Sequence, residues 1–203
     1  MGATAILVAG LACLWLGGCA GPNSSTTAMA GTDPDIRAQL FPLAQRQPLP
    51  TIAGHTLSGR PISLRDLTGR GVLVINVWAS WCENCRDESA ALAQLSRSLS
   101  ARSVAFVGID EQDTTSAARA FAASSGTSYP HMVDPDGTAL RKLLLLPSLG
   151  IPSTLLVDQH GMMAARVIGP TTASQLQALI DKVIIHPPAP QGIDNRATLA
   201  NSS

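Results

Sequence analysis

Three short runs rich in β-branched and aliphatic residues recur along the middle of the chain: Val72-Leu73-Val74-Ile75-Asn76-Val77-Trp78, Val104-Ala105-Phe106-Val107-Gly108-Ile109 and Ser153-Thr154-Leu155-Leu156-Val157. The first is nearly continuous rather than alternating, which predicts a central strand buried on both faces. Residues 164–168 read as the hairpin partner of the third, across Asp158-Gln159-His160-Gly161. Between these runs the apolar spacing changes to three and four. Ala91, Leu92, Leu95 and Leu99 predict a helix over 85–99, Thr114 supplies a cap for a second over 114–123, and Leu176, Leu179, Ile180, Val183 and Ile184 mark a last one over 172–185. Strand, helix, strand, helix, hairpin and helix together predict an α/β fold, a mixed sheet flanked by helices. His131 falls in none of these elements and reads as a loop residue.

The ends carry different patterns. Residues 3–18 are an apolar run shorter than the roughly 20 residues that span a bilayer, and they read as the hydrophobic region of a signal peptide over 1–18. No Lys or Arg precedes Arg37, a departure from the usual positively charged start of such a segment. The run ends in Leu16-Gly17-Gly18-Cys19, which resembles the lipobox of bacterial lipoproteins; that likeness implies that Cys19 takes a lipid and becomes the mature N-terminus. A polar, small-residue stretch follows, so 19–47 reads as a flexible tether and 48–185 as the folded domain. His186-Pro187-Pro188-Ala189-Pro190 stops the last helix, and 186–203 reads as a disordered, Pro-rich tail.

Composition narrows the function. The 203 residues are 45% apolar and 14% charged, and the 14 basic side chains are balanced by 14 acidic ones. Such a chain builds one core, and it lacks the net positive field that sequence-independent nucleic-acid binding needs.

The candidate chemistry lies between the first core strand and the first long helix, in Trp81-Cys82-Glu83-Asn84-Cys85. Two cysteines separated by two residues at a helix start can close a small disulfide ring, and the first lies over the free N–H groups of the opening turn. That placement lowers a thiol pKa from about 8.5 into a range of roughly 3.5–7.5, so Cys82 reads as the attacking sulfur and Cys85 as the one that resolves the mixed disulfide. A structural zinc site is disfavoured because His55, His131, His160 and His186 stand singly and no second C-x-x-C exists. Glu83, inside the motif, opposes the helix charge, disfavours the thiolate and so points to a reducing pair. Glu88, one turn beyond Cys85, is placed to accept a proton from it.

These residues, with Gly59-Arg60-Pro61-Ile62-Ser63-Leu64, Tyr129-Pro130, Asp134-Pro135-Asp136-Gly137 and Gly150-Ile151-Pro152-Ser153-Thr154, resemble the thioredoxin-like proteins, within them the membrane-tethered TlpA and ResA group. The resemblance implies a thioredoxin fold with helices on both faces of the sheet. It implies protein thiol-disulfide oxidoreductase activity with no prosthetic group, the redox centre being the Cys82/Cys85 pair. Pro152 would be cis against the C-x-x-C, with Ile151 presenting backbone to a substrate strand and Trp81 facing the substrate. Glu88 matches the acidic position of C-x-x-C-x-x-E, and Asn76 stands where thioredoxin has a buried Asp. The partners implied are extracytoplasmic cysteine-containing proteins, among them apocytochrome c, and a transmembrane thiol electron donor, reached from a lipid anchor on the extracytoplasmic side of a bacterial membrane. Asn84 and Ser89-Ala90 depart from the prolines usual there. Leu143 to Leu146 read as helix-end core or as an apolar rim for docking.

Two other readings stay open on the residues alone. One is a peroxiredoxin-like thiol peroxidase, although the T-x-x-C setting is absent. The other is a lipoprotein binding module whose C-x-x-C is a structural staple.

Overall fold

The computed structural model describes residues 37–143 and 150–185. The signal, lipidation and tail expectations, Cys19 included, lie outside the described residues, as does most of the Leu143 to Leu146 run. Leu143 itself is fully buried.

A central sheet is assembled in the order β1-β9-β8-β5-β6-β7, with β2 also paired to β9. Its strands are β1 (Arg37–Leu40), β2 (Gln47–Pro48), β5 (Val72–Trp78), β6 (Val104–Glu111), β7 (His131–Asp134), β8 (Ser153–Val157) and β9 (Met162–Ile168). β3 (Ala53–His55) and β4 (Pro61–Ser63) form a separate hairpin. The helices are α1 (Glu83–Leu99), α2 (Thr115–Ser125), α3 (Thr138–Lys142) and α4 (Ala173–Ile185). β5 runs parallel to β6 and antiparallel to β8, so the most apolar run in the sequence lies at the centre of the sheet, buried along its whole length.

Strand alternation then sorts the side chains. Leu73, Ile75 and Val77 enter one core layer with Val107, Ile109, Leu155 and Leu140 of α3. Val72 and Val74 enter the other, under Leu92 and Leu95 of α1 and Leu176 and Ile180 of α4. Asn76 and Trp78 follow on that side, where Asn76 meets Glu88 of α1 and Trp78 packs in one cluster with Cys85.

Two expectations are corrected. The fold begins before residue 48: β1 and β2 pair antiparallel with β9. The physical reason is that this segment, though preceded by polar small residues, buries Phe41 and carries Arg46, whose guanidinium meets Asp158 at 2.8 Å with both side chains 2% exposed. Residues 37–47 are therefore not tether. His131 is not in a loop; it opens β7 opposite Gly108 and is buried.

Candidate active site

β5 ends at Trp78, at the C-terminal end of a central strand, and the turn through Ala79, Ser80 and Trp81 leads into α1. Cys82 is the N-cap of that helix, and its sulfur accepts from the Cys85 backbone N–H at 3.2 Å. A free helix N–H pointed at sulfur is the interaction that favours the thiolate. Cys82 and Cys85 are joined in a disulfide, with Cα atoms 5.3 Å apart. Both are largely buried in a small apolar cluster with Leu57, Trp78, Ala79 and Ala118, and Ile151 packs against the same cluster. The Ile151–Pro152 peptide bond is cis, and the Pro152 carbonyl is taken up by the Gly169 N–H at 2.9 Å. Trp81, beside Cys82, is 59% exposed, with its indole N–H donating to the Gln112 carbonyl at 3.3 Å.

The turn before Cys82 is fixed from two sides. Asp113 accepts the Ser80 N–H at 2.7 Å, and Arg86 donates from Nε to the Ser80 carbonyl at 2.8 Å. Behind Asp113, Asp110 is buried, and burial together with the neighbouring Asp113 and Asp134 pushes its carboxyl up to about 7.

Glu88 lies on the buried side of α1, one turn after Cys85, and is 5% exposed. Its Oε1 accepts from Asn76 Nδ2 at 3.0 Å and its Oε2 from the Thr171 N–H at 2.9 Å. Burial raises its carboxyl to about 7 against the opposing effect of those two hydrogen bonds. A carboxyl poised there exchanges a proton near neutral pH, the range in which acid–base work is most effective. Asn76 thus hydrogen-bonds a buried carboxyl supplied by α1 rather than supplying one itself.

A cavity of about 10 Å3 lies behind Cys85, lined by Trp78, Ser89, Thr127, Tyr129 and His131 among others. His131 Nδ1 receives the Trp78 indole N–H at 3.1 Å, and its Nε2 meets Thr127 Oγ1 at 2.8 Å. Trp78 must donate, so Nδ1 is the acceptor and the proton sits on Nε2. Burial pushes the imidazole down to about 4, which keeps it neutral. A Cβ at position 108 would collide with both His131 Nδ1 and Trp78 Nε1, so this contact requires Gly108. Sequence reading missed His131, Thr171 and Asp113. The available signal was Gly108 itself, since a glycine inside a strand marks close approach of another group.

Among the described residues no group of His, Cys, Asp and Glu could hold a metal ion. What the site offers is a dithiol/disulfide pair at a helix start beside a titratable carboxyl, the equipment of a thioredoxin-fold thiol-disulfide oxidoreductase. The chain belongs to the AhpC/TSA family, which it matches over residues 46–166. It is 27% identical over 135 residues to the thiol-disulfide oxidoreductase ResA of Bacillus thuringiensis, covering 66% of this chain and 75% of that one. It is 28% identical over 163 residues to the thiol:disulfide interchange protein HelX of Rhodobacter capsulatus, covering 80% and 81%. A secreted thiol-disulfide isomerase from Corynebacterium glutamicum shares the fold with a TM-score of 0.69 at 26% identity, over 79% of this chain and 99% of that one. A DsbF homologue from Corynebacterium diphtheriae does so with a TM-score of 0.67 at 27% identity, over 75% and 97%. The protein is a thiol-disulfide oxidoreductase.

Proposed function

We propose that the protein reduces disulfides of exported proteins outside the cytoplasm. Cys82 thiolate attacks a substrate sulfur, forming a mixed disulfide and expelling the first substrate thiolate. Cys85 then gives its proton to the Glu88 carboxylate and attacks Cys82 Sγ. The mixed disulfide breaks, the second substrate thiolate leaves, and the Cys82–Cys85 disulfide holds the two electron equivalents' worth of oxidation. A transmembrane thiol carrier returns the pair to the dithiol. Ile151 and Pro152 receive the substrate backbone beside the sulfurs through main-chain hydrogen bonds of the kind a docked strand makes, and exposed Trp81 meets its side chains.

The observation that carries this reading is the helix-capping sulfur of Cys82 with Glu88 buried one turn behind its partner. Glu83 supports the reducing direction, because a carboxylate in the first turn opposes the field that stabilises a thiolate. The C. glutamicum neighbour is described as secreted, in keeping with an extracytoplasmic site. Anchoring through a lipid on Cys19 rests on the Leu16-Gly17-Gly18-Cys19 sequence, and apocytochrome c as a substrate rests on the family resemblance. No helix among the described residues is long and apolar enough to cross a membrane.

The test of direction is the equilibrium potential of the Cys82/Cys85 couple against glutathione or dithiothreitol. A value at or below about −250 mV is expected, and one near −120 mV overturns the reductant reading.

A further inference from the structure

A groove of about 410 Å3 runs between the β3–β4 hairpin, α2 and the segment entering β7. Arg60 and Arg119 stand on its walls with Thr56, Ser58 and Ser128, and no carboxylate lines it. Arg119 is held by its Nε, which donates to the Leu57 carbonyl at 2.6 Å, and its terminal nitrogens make no hydrogen bond or ion pair among the described residues. Thr56 Oγ1 meets Ser58 Oγ at 2.9 Å and accepts the Arg60 N–H at 3.1 Å, so the hairpin turn that carries Arg60 is fixed too. Arg46 is paired with Asp158 and Arg102 with Asp181, whereas neither groove guanidinium has an ion pair among the described residues.

The groove also touches the redox site. Leu57 is shared with the apolar cluster around Cys82 and Cys85, and Tyr129 and His131 line both the groove and the cavity behind Cys85. The groove and the reacting pair are thus joined through Leu57, Tyr129 and His131.

The geometry points to a docking groove for an acidic segment of the polypeptide whose disulfide is exchanged, its carboxylates paired with Arg60 and Arg119 and its remaining acceptors met by the hairpin hydroxyls. This deepens the oxidoreductase reading and rests on it. An acidic polypeptide is favoured over a compact anion because two guanidiniums on opposite walls of an open groove of about 410 Å3 suit several spaced carboxylates better than one small anion, and because the reaction's partners are polypeptides. Guanidiniums with free forks are the donors best matched to carboxylates.

The test uses two disulfide peptides alike except that one carries a flanking Asp/Glu segment and the other Asn/Gln. The acidic peptide is expected to have a kcat/KM roughly fivefold higher, as two exposed charge pairs give, with the difference in KM. In the Arg60→Ser, Arg119→Gln double variant, where Gln keeps a donor for the Leu57 carbonyl, the ratio falls to near one. It does the same for the unaltered protein in about 0.5 M salt. A ratio near one in the unaltered protein, or one that survives the double substitution, overturns the groove, even if both rates are lowered. Titration with the acidic segment lacking cysteines, followed by the Arg60, Arg119 and His131 side-chain resonances, decides the groove independently of turnover. Shifts with the acidic but not the neutral segment support it. Shifts with inorganic phosphate alone assign the groove to a small anion and contradict it. Loss of all disulfide reduction with the titration intact would fault the Cys82–Cys85 reading and leave the groove standing.

Discussion

Asn76 donates its side-chain N–H to Glu88 at 3.0 Å, and so a strand residue and a helix residue together hold one carboxyl behind the Cys82–Cys85 pair. The second oxygen is held by Thr171, which precedes α4, so three parts of the fold converge on Glu88. Buried and raised to about 7, it is the group on which the resolving step depends in the proposed mechanism.

Glu88→Gln keeps an acceptor for Asn76 and removes the titration. The second step, release of substrate from the mixed disulfide, is expected to slow by about a hundredfold or more, the usual worth of a positioned base. Its pH profile should lose the inflection near 7. Single-turnover release followed by mass measures it, and an unchanged profile would show that the proton leaves Cys85 by another path.

The same carboxyl affects stability. Its native pKa lies above the 4.5 of the free group, so the native state binds more protons than the unfolded one between those values. Its stabilising contribution is full below about 4.5 and is lost as pH rises through 7, by up to on the order of 3 kcal/mol. Asp110, also raised to about 7, acts in the same direction. Urea melts at pH 5 and pH 8 should show the decline, and the Glu88→Gln and Asp110→Asn variants should each flatten part of it.

His131 works in the opposite sense. Its native pKa, about 4, lies below the free value of 6.5, so the unfolded state takes up the proton first. The stability it contributes is present above 6.5 and lost as pH falls towards 4. Long-range imidazole nitrogen spectra should show Nδ1 remaining unprotonated well below pH 6. Titration near 6.5 would contradict the buried Trp78 contact. Gly108→Ala, which drives a methyl into both rings, should cost about 3 kcal/mol.

Arg46→Ala leaves Asp158 buried without its cation, although the His160 and Met162 N–H groups still donate to it. Loss of one partner of a buried pair costs about 3–5 kcal/mol, read as a lower urea midpoint with little change in the thiol chemistry.

The legible parts of the molecule were those whose signal is local. β5 is a continuous apolar run and α1 a periodic one, so strand, helix and the C-x-x-C between them follow from neighbouring residues alone. Glu88 was found by its one-turn spacing from Cys85. The contacts that were not legible join distant positions. Arg46 and Asp158 are 112 residues apart and His131 and Trp78 are 53, and no periodicity encodes which lone charge or imidazole meets which partner. The burial that moves Glu88, Asp110 and His131 away from their ordinary pKa values belongs to the assembled layers; the His131 contact alone left a local trace, glycine at 108, where a side chain would not fit.

Brief, limiting alkylation of the freshly reduced protein, with the labelled sulfur identified by mass across pH, tests the central claim. The account predicts that Cys82 is modified first, through a thiolate formed below the ordinary 8.5 of a free cysteine, and that Cys85→Ser retains a disulfide-linked partner on Cys82. Equal inertness of both sulfurs, or preferential labelling of Cys85, would contradict it.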